Sequence, residues 1–344
     1  MNQEAPSGGH EEATSLDSAE GVQGRELGGE NQTSPEHPSE GSGAQEGEAG
    51  RAAREPSLVG GELNLPGQSP LYHALNSARY DRQQLIATYE TEQDCRLIVM
   101  IDAIFPESVT IFEELIYDAD PNQDLHLMLN SPGGDGETAI RLVRSAQARC
   151  KELTVIVPDR AKSAATLLAM GAHHILMGPV SDLGPIDPQL RVPSDRGDRM
   201  VAAKDLLSAV ENAQNAIQEH PETYPIHAAM LAEIDAVLLQ FARSAMERTD
   251  QLMEEALRSN PSRNEESVKQ LCSSLKEPLI ARLSSHAAVF GASDAKLAGL
   301  PVVAVDPSSR QWSILWRLWT KYFAMLPRRI YENAKNSQIG PSDD

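Results

Sequence analysis

Two short stretches carry groups suited to one chemistry. The first is Asn130-Ser131-Pro132-Gly133-Gly134. Its paired glycines can take positive φ and bring backbone N–H groups close to an incoming carbonyl oxygen. The second is Ala161-Lys162-Ser163-Ala164-Ala165-Thr166, which follows an apolar run ended by Pro158 and opens a new apolar, helix-forming run. A serine at such a junction exposes its hydroxyl, and the N–H of Ala164 lies at the positive end of the helix dipole. A serine nucleophile with convergent N–H donors is the minimum equipment for acyl transfer. Ser163 is therefore the candidate nucleophile, and Gly133, Gly134 and Ala164 are the candidate oxyanion donors. The plainer roles open to the same residues are chain reversal at the glycines and helix capping by the serine.

A serine hydroxyl is a weak nucleophile until a base takes its proton. Lys204 and His286 are the candidates, because a buried lysine can lose enough basicity to act near neutrality and histidine titrates there already. Lys162 ranks behind them, since adjacent side chains point apart. Asp187 sits between Ile186 and Pro188 in a turn-rich run. Turn formation is its first role, with a catalytic or orienting role open. His173 and His174 enter a strand, where consecutive side chains face opposite ways, so they cannot share one metal ion. No metal site and no cofactor site is expected.

The elements that must position these residues are legible as an alternation. Leu125–Leu129 reads as a strand, and a helix follows with Ala139, Leu142, Val143 and Ala146 on one face. Leu153–Val157 is a second strand, Ala164–Gly171 a helix, and His174–Met177 a third strand. Upstream, Pro70–Tyr89 reads as a helix, Arg96–Ile101 as a strand and Glu107–Tyr117 as a helix. This is the order of a parallel sheet with right-handed crossovers. Downstream, Arg191–Arg199 reads as a loop, and Val201–Gln218, Pro225–Ser259 and Glu265–Leu283 as helices. A short helix at Asp294–Gly299 and a strand at Val302–Val305 close the pattern.

The two motifs resemble those of Clp-type serine proteases. Asn130–Gly134 looks like their oxyanion signature, and Ala161–Thr166 followed by Leu167-Leu168-Ala169 resembles their nucleophile motif. The stretch from the serine motif through Leu183-Gly184-Pro185-Ile186-Asp187-Pro188-Gln189 is similar to the serine dehydrogenase proteinase family. The resemblance implies an α/β, Clp/crotonase-like parallel sheet with crossover helices, extra helices inserted after the nucleophile half, and homo-oligomers. It also implies a peptidase that acts on peptide or protein substrates through an acyl-enzyme on Ser163, without ATP of its own. Clp-type enzymes place a histidine shortly after the serine. The corresponding neighbourhood, Ile186–Gln189, has none, so Lys204, His286 or a group from another subunit must serve. A crotonase-type acyl-CoA enzyme and a non-catalytic scaffold of the same fold are the competing readings. Nothing resembles a nicotinamide site or a pyridoxal lysine.

The totals narrow the partners. A net charge of −20 argues against nucleic acid, whose phosphates need clustered Lys and Arg. Three widely spaced cysteines fit a reducing compartment. The acidic N-terminus does not read as a secretory signal, and a cytoplasmic protein is expected. Residues 1–65, rich in Gly, Glu and Ser, read as disordered. Residues 66–306 read as the protease domain and 307–344 as a basic, aromatic tail. In that tail, Trp312, Leu315, Trp316, Trp319, Phe323 and Leu326 form a helical stripe, with Lys and Arg between them out to Lys335. Two uses stay open for Trp312–Lys335: a cap on the domain or another subunit, or peripheral contact with a membrane interface.

Overall fold

The computed structural model describes residues 68–192, 197–232, 234–281 and 288–341. The segment expected to be disordered and His286 lie outside these residues. From the N-terminal side, α1 (Pro70–Gln93) leads into β1 (Cys95–Ile101), and α2 (Ser108–Ile116) returns the chain to β2 (Asp124–Asn130). Next come α3 (Gly136–Gln147), β3 (Leu153–Val157), the short β4 (Arg160–Ala161), α4 (Ala164–Met170) and β5 (His174–Met177). Then follow β6 (Asp182–Leu183), the pair β7 (Gln189–Val192) and β8 (Arg199–Ala202), α5 (Ala203–Glu219) and α6 (Tyr224–Met230). The chain continues through α7 (Ala236–Arg258), α8 (Glu265–Lys276), α9 (Ala292–Leu297) and β9 (Val302–Ala304). It closes with α10 (Arg310–Phe323), β10 (Arg328–Glu332) and β11 (Ser337–Pro341).

The main sheet runs β11-β10-β1-β2-β3-β5-β9. Strands β1, β2, β3, β5 and β9 are parallel, while β10 and β11 extend one edge antiparallel. The fold is thus α/β with a mostly parallel central sheet. Register sorts the strand side chains onto two faces. Ile98, Leu127, Val155, Ile175 and Val302 lie in one cross-strand row and belong to one core. Their neighbours Val99, Met128, Ile156 and Leu176 form the next row and belong to the other. Both faces are covered, which is why these strands read as continuous apolar runs rather than alternating ones. Each such side chain contributes roughly 1.5–3 kcal/mol by leaving water.

Helices α2, α3, α4, α7 and α8 cover the first face through residues such as Phe112, Leu142, Leu168, Met253 and Leu275. Helices α1 and α10 cover the second, with Ile86, Tyr89, Trp312, Leu315, Trp319 and Tyr322 against the sheet. Of the two uses open to Trp312–Lys335, the cap on the domain is seen: Trp312 and Trp319 pack on the sheet and are only 5% and 3% exposed, while Trp316 and Phe323 of the same stripe stay 39% and 63% exposed. The Trp312 ring lies against Gly178, where a Cβ would collide with it. The helical pattern also stops sooner than expected, before Pro327, and Arg328–Glu332 pairs with β1 as a strand. Among the described residues no helix is long and apolar enough to cross a membrane.

The helical insertion differs in detail from the sequence reading. Val201 belongs to an antiparallel pair with Leu190 rather than to a helix, so the expected loop is flanked by β7 and β8. The expected helix Pro225–Ser259 is two helices. A fresh start at α7 is fixed by Asp235, whose carboxylate accepts the Leu238 N–H at 2.7 Å.

Candidate active site

The site grows out of the ends of β2 and β3, where the chain leaves the main sheet and forms a second, smaller ladder. Ser131 bridges Ala161, β4 pairs β6, and Leu183 bridges Phe290. Alongside, the Ile104 N–H donates to Gly133 O at 2.8 Å, and the Asp135 N–H donates to Ile104 O at 2.8 Å. Gly133 and Gly134 take φ of 105° and 138°, a region closed to most side chains. Space enforces the same choice. A Cβ on Gly134 would strike Ile104 O, and one on Gly133 would stand 2.7 Å from both Lys162 O and Ser163 Cβ. The glycine turn is therefore seated directly on the serine segment.

Ser163 is itself unusual. Its φ of 50° and ψ of −119° place a non-glycine residue in a sparsely populated region, which costs about 1–3 kcal/mol and persists only where the surroundings enforce it. They do so here from both sides. The Ser163 N–H donates to Pro185 O at 3.1 Å, and the Lys162 N–H donates to Ser131 O at 3.0 Å. Helix α4 begins at the next residue, and all seven of its residues are buried. The buried Thr166 hydroxyl lies 2.7 Å from Ala161 O and 3.0 Å from Gly184 O, holding β4 to the following loop.

The N–H groups around this junction are unevenly engaged. The Gly133 N–H donates to Ser131 Oγ at 3.1 Å. Among the described residues, the N–H groups of Gly134 and Ala164 donate no hydrogen bond. A half-exposed serine in a strained strand-to-helix turn, with unspent N–H donors beside it, is equipment for attack on a carbonyl and for holding the oxyanion that results.

Residues 112–220, which hold both the glycine turn and Ser163, match the family of ClpP-like SDH-type serine proteinases. Over that stretch the chain is similar to that family. A second similarity is to an uncharacterized protein of Methanocaldococcus jannaschii, 38% identical over 72 residues. That match spans 21% of this chain and 25% of the archaeal one.

The expected bases fall as follows. Lys204, at the start of α5, is half-buried, and its Nζ donates to Ile280 O at 2.9 Å. It is linked to Ser163 by one run of backbone bonds along a single loop. Ser163 N–H meets Pro185 O, Ile186 N–H meets Leu279 O at 3.0 Å, and Ala203 N–H meets Pro188 O at 2.9 Å. Asp187 lies in that loop, 1% exposed, and accepts from Gln189 Nε2 at 2.8 Å. His286 is outside the described residues. Lys162 is committed elsewhere: its ammonium contacts the Asp182 carboxylate, Ala288 O at 3.0 Å and Leu183 O at 3.4 Å. Three N–H groups with three acceptors leave it no lone pair to offer a serine. His173 and His174 go separate ways, His173 Nδ1 to the Leu153 N–H and His174 Nε2 to Glu152. Sequence reasoning missed Asp182, Thr166 and the Ile104 backbone. The available signal was position alone, polar residues at or just past strand ends.

Proposed function

We propose that this protein is a serine peptidase that cleaves peptide bonds through an acyl-enzyme on Ser163. The observation that carries this is the strained Ser163 backbone pressed against Gly133 at the mouth of a buried helix. Lys204, in its neutral form, takes the hydroxyl proton as Ser163 Oγ attacks the scissile carbonyl carbon. The resulting oxyanion is held by the Ala164 N–H and by the N–H groups of the Gly133–Gly134 turn, that of Gly133 being released by Ser131 Oγ. Collapse expels the amine, which receives the proton from Lys204. Water, deprotonated by the same lysine, then attacks the acyl carbon and frees Ser163. Asp187 orients the loop between nucleophile and base.

The test is hydrolysis of an unstructured protein such as casein by wild type and by Ser163→Ala and Lys204→Met. Loss of cleavage in both folded variants supports the reading. Wild-type rates in either variant overturn the role given to that residue, and an inactive wild type leaves a scaffold.

A further inference from the structure

The side chain next to the nucleophile faces away from it, yet it binds the three segments that surround it. The Lys162 stem crosses Gly184 so closely that a Cβ there would collide with Lys162 Cδ. Its ammonium pairs with Asp182 in β6 and reaches Ala288 O at 3.0 Å. Asp182 uses its other oxygen to accept the Phe290 N–H at 2.8 Å. The pair is nearly enclosed, with side chains 12% and 16% exposed. One ion pair thus joins the serine segment, the loop whose Pro185 carbonyl holds the Ser163 N–H, and the strand-like segment 288–290. Removing one member leaves the other as an uncompensated, poorly solvated charge.

We infer that Lys162 and Asp182 are positioning residues that hold Ser163 in its strained, reactive conformation. This rests on the reading of Ser163 as nucleophile. The reasoning is mechanical. A backbone at φ 50° relaxes unless its neighbours forbid it. The two peptide groups leading into Ser163 are fixed by hydrogen bonds to Ser131 and Pro185. Ser131 is held by its place at the end of β2, but Pro185 keeps its place only while the loop after β6 stays packed on the serine segment, and the Lys162–Asp182 pair is a charged fastening across that seam. Neither residue needs to touch a substrate. Their loss acts through the placement of Oγ, where a shift of about 1 Å costs on the order of 100-fold in rate.

The experiment uses the full chain and the variants Lys162→Met, Asp182→Asn and the double substitution. Asp182→Asn keeps an acceptor for the Phe290 N–H and removes only the charge, so it serves where Lys162→Met fails to fold. Labelling by a fluorophosphonate probe is followed at increasing probe concentration, and amide exchange is followed by mass spectrometry. The expected result is a maximal labelling rate lowered by about 100-fold in each single variant. The half-saturating probe concentration stays unchanged, and the double variant is no slower than the slower single one. Exchange accelerates over residues 160–166 and not in β1–β3. A folded single variant labelled at the wild-type rate, or losses that multiply in the double variant, would overturn the proposal. A wild type that takes no label removes the nucleophile reading itself. Exchange over 160–166 then judges the fastening separately, and an unchanged profile removes that as well.

Discussion

Gly133 and Ser163 are in contact across the site: a Cβ built on the glycine would stand 2.7 Å from the Cβ of the serine. The same added atom would approach the Ala164 nitrogen to 3.3 Å, the place where an oxyanion donor is expected. Gly133→Ala therefore strains a φ of 105° and crowds the nucleophile at once. Hydrolysis is expected to fall by about 100-fold or more, the scale of losing one oxyanion donor. Circular dichroism checks that the variant is folded. A folded Gly133→Ala protein with wild-type turnover would show that the turn has no part in the chemistry.

Ser163 should trade stability against activity. Glycine tolerates φ of 50° and ψ of −119°, so Ser163→Gly releases backbone strain while removing the hydroxyl. Strain of about 1–3 kcal/mol is partly offset by the greater freedom of an unfolded glycine, leaving a gain of about 1 kcal/mol. Urea unfolding measures it. The variant is expected to be inactive and more stable than wild type. A less stable variant would mean that the serine backbone is not under strain.

Much of this arrangement was legible before any coordinates. The four central strands and their crossover helices were readable because both sheet faces are covered, which makes Cys95–Ile101 and Leu153–Val157 continuous apolar runs between helical periods. The glycine turn and Ser163 were readable because residue type and position coincide there. What escaped notice depends on partners distant in sequence. The Lys162–Asp182 pair needs β4 and β6 side by side. The break before α7 turns on one aspartate cap. The aromatic stripe of α10 looked the same for a membrane surface or a sheet, and it takes the second face of the sheet, lined by Met128, Ile156 and Leu176, to show where Trp312, Leu315 and Trp319 go.

The choice of base is open to a direct comparison. If Lys204 takes the proton, Lys204→Met loses activity and His286→Ala keeps it. The reverse pattern, His286→Ala inactive with Lys204→Met still active, would transfer the role to the histidine.

The second core predicts a pH-dependent stability unconnected with catalysis. His126 is half-buried in β2 with its Nδ1 2.8 Å from the Tyr89 hydroxyl, and loss of solvent around it lowers its pKa to about 4. The unfolded chain titrates near the ordinary value of 6.5, so it binds the proton more readily than the native protein between these two pH values. This contribution is fully present above the higher value and is lost as pH falls through the lower one. The total change is about 3 kcal/mol. Urea unfolding at a series of pH values should show this slope in wild type and a shallower one in His126→Gln. Equal slopes would mean that the histidine is not held neutral by burial.

The central claim is that Ser163 carries the acyl group, and covalent labelling tests it most directly. Wild type is incubated with a fluorophosphonate, then weighed intact and mapped by peptide mass spectrometry. The account predicts a single adduct, on the peptide containing Ser163, absent from Ser163→Ala and abolished by prior denaturation. An adduct on another residue, an equal adduct in Ser163→Ala, or a folded wild type that stays unlabelled would contradict it.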